Sequence, residues 1–307
     1  MNLDPEIAAL LDVLDAGFPP VHTMTGAQAR AVIRSRYVPP AEPEPVAEVR
    51  DEVVRGPGGD IPVRIYRPTG ENLPVLVYAH GGGFVFCDLD SHDGLCRSFA
   101  NHVPAVVISV AYRLAPEHPW PAAADDVYAV AQAAAAGAFG GDPGRIVVGG
   151  DSAGGNLAAV AALMARDRGG PALAAQLLIY PVLAADFDTE SYRLFGRGYY
   201  NPKPAMQWYW DQYAPSVTDR THPYAAPAHA DLSGLPPTVL VIAGHDPLRD
   251  EALAYASALE AADVPVTRAQ FDGVVHGFMS MPILDIAQQA RRQACEKLNA
   301  AIGSTRD

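Results

Sequence analysis

The 307-residue chain reads as an α/β protein built on a mostly parallel sheet flanked by helices. Three observations carry that reading. From about residue 74 onward, short apolar runs alternate with helical segments, the pattern of parallel strands joined by crossover helices. At residues 145–165 an apolar run passes through the tight turn Gly150-Asp-Ser-Ala-Gly154 into an alanine- and leucine-rich helix. Ahead of this alternation, apolar residues at 46–54 and 61–66 flank Gly56-Pro-Gly-Gly59, which predicts an antiparallel hairpin entering the sheet.

In chain order, Ile7, Leu10, Leu11 and Leu14 stand at helical spacing, and a second helical stretch covers residues 25–36. The run Pro39-Pro-Ala-Glu-Pro-Glu-Pro45 is a stiff connector and the clearest organisational boundary. After the hairpin, Leu73-Pro-Val-Leu-Val-Tyr-Ala79 is a buried strand ending at His80-Gly-Gly-Gly-Phe84. Residues 101–110 read as the next strand. Its exit, Tyr112 to Trp120, is stiffened by Pro116, Pro119 and Pro121, and an Arg113–Glu117 pair is expected to brace the bend. A helix from Ala122 to about Ala136 stops at Gly137. Beyond the turn at Ser152, strands are expected at 175–180, 238–243 and 266–271, with a helix at 251–259. Residues 186–215 break the alternation and are rich in aromatics, among them Tyr192, Phe195, Tyr199, Tyr200, Trp208, Tyr209, Trp210 and Tyr213. No internal repeat is evident.

Several strand ends carry residues suited to one chemistry. A serine at a strand-to-helix turn is held in a sharp, strained conformation, with glycines two residues either side leaving room for it. The helix that follows aims the positive end of its dipole at the same spot. An ordinary capping serine would fit the turn alone, but not the partners found elsewhere. Three consecutive glycines after the strand at 73–79 suit backbone N–H groups that approach a ligand closely, although a flexible surface turn would also use them. Acyl transfer needs such donors for the developing oxyanion, and Gly82, Gly83 and Ala153 are the expected ones. Gly81 is harder to exclude. Downstream, Asp246 leaves the strand at 238–243 and His276 follows the strand at 266–271. The expected roles are Ser152 as nucleophile, His276 as base and Asp246 as the acid that orients it.

Competing residues are weaker. Asp250 stands where it would cap or charge the next helix. His245 shares a strand end with Asp246, and neighbouring side chains on an extended segment diverge. His22, His92, His102, His118, His222 and His229 lack ligand spacing and read as solvated or structural. Asp151, beside the nucleophile, is expected to make supporting hydrogen bonds.

Taken together, His80-Gly-Gly-Gly-Phe84, Ala111-Tyr-Arg-Leu-Ala-Pro-Glu-His-Pro119 with Trp120-Pro-Ala-Ala123, Gly150-Asp-Ser-Ala-Gly-Gly-Asn156, Asp246-Pro-Leu-Arg-Asp250 and His276-Gly-Phe278 resemble one family. It is the bacterial hormone-sensitive-lipase-like carboxylesterases of the α/β-hydrolase superfamily. The match runs from about residue 50 to the C-terminal helix, and the order Ser, Asp, His is that superfamily's order. The resemblance implies an eight-stranded sheet and a helical cap over the core. Residues 1–45 and 186–215 would form the cap, and 46–185 and 216–307 the hydrolase core. It also implies hydrolysis of small, short-to-medium acyl esters, with no metal and no organic cofactor. Cys87 departs from the glycine common at its position, which bears on the local loop shape and the width of the acyl pocket. Lactones, amides, carbamates and drug esters would use the same three residues. A non-catalytic small-molecule receptor on this fold would lack the histidine that His276 supplies.

Composition narrows the partners. Apolar residues make up 49% of the chain, enough for a large core, while the net charge is −13. That acidity disfavours nucleic acid and anionic membrane surfaces. The three cysteines, Cys87, Cys96 and Cys295, lack paired spacing and read as reduced thiols. No apolar run is long enough to span a membrane, and no basic segment followed by an apolar one opens the chain. A cytoplasmic enzyme with an ester substrate is expected. Similar proteins commonly dimerise through a sheet edge, which would allow a homodimer, though no residue pattern here marks one.

Overall fold

A computed structural model describes residues 2–303. Its eight strands are β1 (Glu48–Gly56), β2 (Gly59–Arg67), β3 (Val75–Ala79), β4 (Val106–Val110), β5 (Ile146–Asp151), β6 (Leu173–Ile179), β7 (Thr238–His245) and β8 (Val266–Val275). They form one sheet in the order β1-β2-β4-β3-β5-β6-β7-β8. Strands β1 and β2 form the expected hairpin, and β2 lies antiparallel to β4. All other neighbours are parallel. The carboxyl ends of β3, β5, β7 and β8 therefore share one edge of the sheet, where ligands collect in open parallel sheets.

The central strands β3 to β7 are buried on both faces because helices cover them. Period-two alternation assigns every residue to a layer. Val75, Val77, Ile146, Val148, Leu240 and Ile242 face the side covered by α4 (Ala122–Ala135), α5 (Ala153–Asp167) and α8 (Arg249–Ala261). Leu76, Tyr78, Val147, Leu177, Val239 and Val241 face α3 (Asp93–His102) and α9 (Asp285–Gly303). Burial of these side chains supplies most of the driving force, roughly 1.5–3 kcal/mol for each large one.

The N-terminal segment folds as α1 (Pro5–Gly17) and α2 (Gly26–Arg36). Helix α2 starts at a capping box, in which Thr25 accepts from the Gln28 N–H and Gln28 accepts from the Thr25 N–H. The aromatic insertion forms α6 (Glu190–Phe195) and α7 (Lys203–Tyr213). The two segments meet, since the Tyr200 N–H donates to Asp15 Oδ1 at 3.1 Å and the Phe18 and Tyr200 rings pack edge to face at 5.3 Å. Below them, Tyr213 of α7 stacks on Phe84 at 3.7 Å, which seats the insertion on the glycine loop.

Two expectations are corrected. Asn101 and His102 end α3, and the strand begins only at Val106. An apolar helix face and an apolar strand look alike over so few residues. Arg113 does not pair with Glu117. Its guanidinium and backbone N–H converge on Asp126 of α4 at 2.8–3.0 Å, while Glu117 takes Arg30 of α2. Asp126 is fully buried and lies one layer inward, so it offers both carboxylate oxygens to the guanidinium fork. Replacing Asp126 with Ala should leave the partly exposed Arg113 guanidinium and its backbone N–H without their acceptor and lower the unfolding free energy by about 2 kcal/mol. Urea unfolding checks this, and a loss under ~1 kcal/mol would mean that the bend is braced elsewhere.

Candidate active site

The site begins with the backbone of Ser152. Strand β5 stops at Asp151 and α5 starts at Ala153, so Ser152 must reverse the chain alone, at φ 55° and ψ −117°. This is a sparsely populated region for a residue with a side chain, and it costs on the order of 1–3 kcal/mol. The neighbouring layer enforces it. A Cβ added to Gly154 would stand 1.9 Å from the carbonyl oxygen of Ala79, so the start of α5 can lie this close to β3 only as glycine. The Ser152 N–H is tied to Ile179 O at 2.8 Å, and its carbonyl accepts from Val182 N at 3.1 Å. Its hydroxyl is left pointing off the sheet edge.

His276 follows β8 and Asp246 follows β7, which places both at that edge. His276 Nε2 lies 2.9 Å from Ser152 Oγ, and Nδ1 lies 2.6 Å from Asp246 Oδ2. A carboxylate only accepts, so the proton belongs on Nδ1 and the lone pair of Nε2 faces the hydroxyl. Asp246 is 1% exposed, and its second oxygen accepts from the Leu248 N–H at 2.9 Å. The Tyr180 ring packs on the imidazole at 4.9 Å. Behind the histidine, buried Arg291 of α9 donates Nε to Met279 O at 2.7 Å and so holds the turn that follows it.

The competing residues lie elsewhere. His245 turns its Nδ1 to Asp272 O at 2.8 Å and stacks on Tyr199. Asp250 sits in the first turn of α8, where it accepts from the Ser191 N–H at 2.7 Å and pairs with Arg249.

The glycine loop lies opposite. Gly82, at φ 119°, has no space for a side chain, since a Cβ would meet Phe86 O at 2.2 Å. Among the described residues, the N–H groups of Gly82, Gly83 and Ala153 donate to no protein acceptor. The Gly81 N–H is different, being bound to Asp151 Oδ1 at 3.0 Å. Gly81, Gly82 and Gly83 border a cavity of about 120 Å³ with Ser152 and His276 on its wall, and Phe18, Tyr200, Asn201 and Tyr209 also line it.

Asp151 organises the floor of this loop. Besides Gly81 it accepts from Tyr78 OH at 2.8 Å, and His92 Nε2 approaches within 3.3 Å. Burial pushes its carboxyl pKa up, but His92 and the Tyr78 hydroxyl outweigh burial and hold it below the ordinary value. His80, stacked on Tyr112 at 4.4 Å, is pushed down to about 4 by burial and then by His92, which makes it a neutral ring at physiological pH. Sequence reasoning assigned His92 a bland structural place and passed over Tyr78. Tyr78 reaches Asp151 because β3 pairs in parallel with β5, and His92 because it stands at the start of α3, so neither has a sequence spacing that would reveal it. Among the described residues no group of three or more His, Cys, Asp or Glu is placed to hold a metal ion.

The alpha/beta hydrolase fold family matches residues 76–280, more than half of the chain. The chain belongs to that family. Within this hydrolase family, the carboxylesterase NlhH of Mycobacterium tuberculosis is 41% identical over 92% of this chain and 91% of its own. The carboxylic ester hydrolase LipN of the same organism is 45% identical over 78% of this chain and 66% of its own. An ethyl acetate hydrolase of Pseudomonas putida is 36% identical over 92% of this chain and 93% of its own. Among solved structures, an ester hydrolase from the Lake Arreo metagenome superposes with a TM-score of 0.91 at 41% identity, covering 98% of this hydrolase and 99% of that chain. A hyperthermophilic esterase of Pyrobaculum calidifontis gives 0.89 at 40% identity, covering 99% of each. The fold and the hormone-sensitive-lipase-like affiliation expected from the motifs hold.

A second buried carboxyl stands behind Asp246. Glu251 accepts from the Leu183 N–H at 2.7 Å through Oε1, while Oε2 is buried without a hydrogen-bond partner among the described residues. Burial raises its pKa well above 4.5, and the nearby Asp246 adds to the rise. A carboxyl raised on folding contributes stability below its unfolded pKa and loses it as pH rises toward the folded value. Glu251→Gln removes that loss. Its stability relative to wild type should climb between pH 4.5 and 7 by up to about 1.4 kcal/mol per pH unit. Urea unfolding at pH 5 and pH 7 reads the difference, and parallel pH dependences would show that Glu251 is ionised in the fold.

Proposed function

We propose that the chain is a serine carboxylesterase acting on small, short-to-medium acyl esters through Ser152, His276 and Asp246. The observation that carries this reading is the continuous line from Asp246 Oδ2 through His276 to Ser152 Oγ, at 2.6 and 2.9 Å, facing three unengaged N–H groups. Ser152 Oγ attacks the carbonyl carbon while its proton passes to His276 Nε2. The carbonyl oxygen takes the electron pair and is met by the N–H groups of Gly82, Gly83 and Ala153, with the positive end of the α5 dipole behind them. On collapse the leaving alkoxide takes the proton from Nε2, and the acyl group stays on Ser152. Water, deprotonated by the same nitrogen, then releases the acid. Asp246 holds the proton on Nδ1 throughout and stabilises the imidazolium.

Cavity size argues for small substrates. At about 120 Å³ the catalytic cavity is smaller than the several hundred Å³ usual for ligand pockets, which favours a short acyl group. We read residues 1–45 and 186–215 as the two parts of a cap on a core formed by 46–185 and 216–307. Phe18 from the first segment and Tyr200, Asn201 and Tyr209 from the second line the cavity, which supports this, and a cap over a site excludes water and shapes the substrate pocket. The unpaired thiols of Cys87, Cys96 and Cys295 suit a reducing, cytoplasmic setting. Among the described residues no helix is long and apolar enough to cross a membrane.

The test is hydrolysis of p-nitrophenyl esters from acetate to palmitate by wild type and variants. Ser152→Ala should remove at least about 10⁴-fold of kcat without lowering the thermal midpoint, and His276→Ala should cost a similar factor in kcat. Asp246→Asn should cost about 10⁴-fold, while Asp250→Asn stays active. Folded wild type inert on every chain length would end the ester reading and move the search to lactones, amides and carbamates. Activity surviving in Asp246→Asn and lost in Asp250→Asn would reassign the acid.

A further inference from the structure

A second cavity, about 460 Å³, lies against the catalytic one between α2 and residues 87–91, and Cys87 lines both. Ile33, Tyr37 and Leu114 form its apolar wall, and arginine and aspartate side chains that pair with one another line the rest. The guanidinium groups at its rim are already satisfied. Arg30 donates to Val85 O and Ala115 O at 2.9 Å each, and Arg34 pairs with Asp88 and Asp90. Nothing in the cavity therefore calls for a charged ligand, and an apolar chain suits it.

The lining residue the two cavities share is conformationally unusual. Cys87 sits at φ 67°, a backbone region that glycine enters freely and a side-chain residue enters at a cost. It presses on the glycine loop, since a Cβ placed on Gly82 would lie 3.0 Å from its own Cβ. Burial drives the thiol pKa up to about 12, which keeps it protonated at neutral pH. A strained residue on the wall of both a small catalytic cavity and a larger, mostly apolar one is placed to divide them.

We infer that the Cys87 side chain sets the acyl-length limit of this enzyme by closing the catalytic cavity off from the apolar cavity beneath α2. This rests on the esterase reading above. The acyl assignment follows from proton transfer. The leaving alkoxide must meet His276 Nε2, which keeps the alcohol part near Gly277 and Ser280 and leaves the acyl chain to run toward the glycine loop and Cys87. Removing the side chain joins the two spaces, and glycine adopts φ 67° without strain, so the variant keeps its fold.

The experiment compares kcat/KM for p-nitrophenyl acetate, butyrate, hexanoate and octanoate, and for a series of alkyl acetates, in wild type, Cys87→Gly and Cys87→Ser. In Cys87→Gly the octanoate-to-acetate ratio should rise at least about tenfold, the scale on which methylene-sized pocket changes discriminate. Cys87→Ser, close in volume, should keep the wild-type ratio. A Cys87→Gly ratio within about twofold of wild type, in protein with an unchanged thermal midpoint, would overturn the partition. A gain confined to longer alcohols would overturn the acyl assignment. Wild type without activity on any ester would instead remove the esterase reading, a separate outcome.

Discussion

The site depends on one backbone constraint, the φ of 55° at Ser152. The turn reverses the chain within a single residue because β5 and α5 are both clamped against β3 through positions that admit no side chain. The strain is of order 1–3 kcal/mol, a small charge against the apolar burial of the surrounding layers. Two consequences follow from the same geometry. The hydroxyl is lifted off the sheet, and the first free N–H of α5 comes up beside it. The residue before the serine, Asp151, ties down the Gly81 N–H and leaves those of Gly82 and Gly83 unengaged. One short run of chain thus orients the hydroxyl and the opposing donors together.

The other half of the site is set by topology. Parallel pairing of β7 with β8 carries Asp246 and His276 to the same edge, next to each other in space though 30 residues apart in sequence. Each is then held by groups that do not reach the cavity. The Leu248 N–H fixes the Asp246 carboxylate, the Tyr180 ring braces the imidazole, and Arg291 ties down the turn beyond it. Preorganisation of this kind matters because hydrogen-bond donors and acceptors lower a barrier most when they need not reorganise as charge develops.

Much of this was legible in the sequence because it rests on local rules. Apolar runs, glycine turns and the order Ser152, Asp246, His276 are all short-range features, and each strand end fell within a few residues of its place. Pairings made across layers were not legible. Arg113 chose Asp126 over the nearer Glu117 because α4 packs beneath the bend and presents its acid from inside. His92 and Tyr78 meet Asp151, and Glu251 meets the Leu183 backbone, only through tertiary crossing, which leaves no periodic trace. Cys87 was visible as a departure from an expected glycine. Its consequence, a positive φ at a wall shared by two cavities, needed the structure.

The central claim is that Ser152 is the nucleophile, activated where it stands. The most direct measurement is to inactivate the enzyme with an aryl alkylphosphonate and locate the adduct by peptide mass spectrometry. This account predicts one phosphonyl group per chain, on the peptide carrying Ser152, appearing in step with loss of esterase activity. Full inactivation with the adduct on another residue, or hydrolysis continuing after Ser152 is fully labelled, would contradict it.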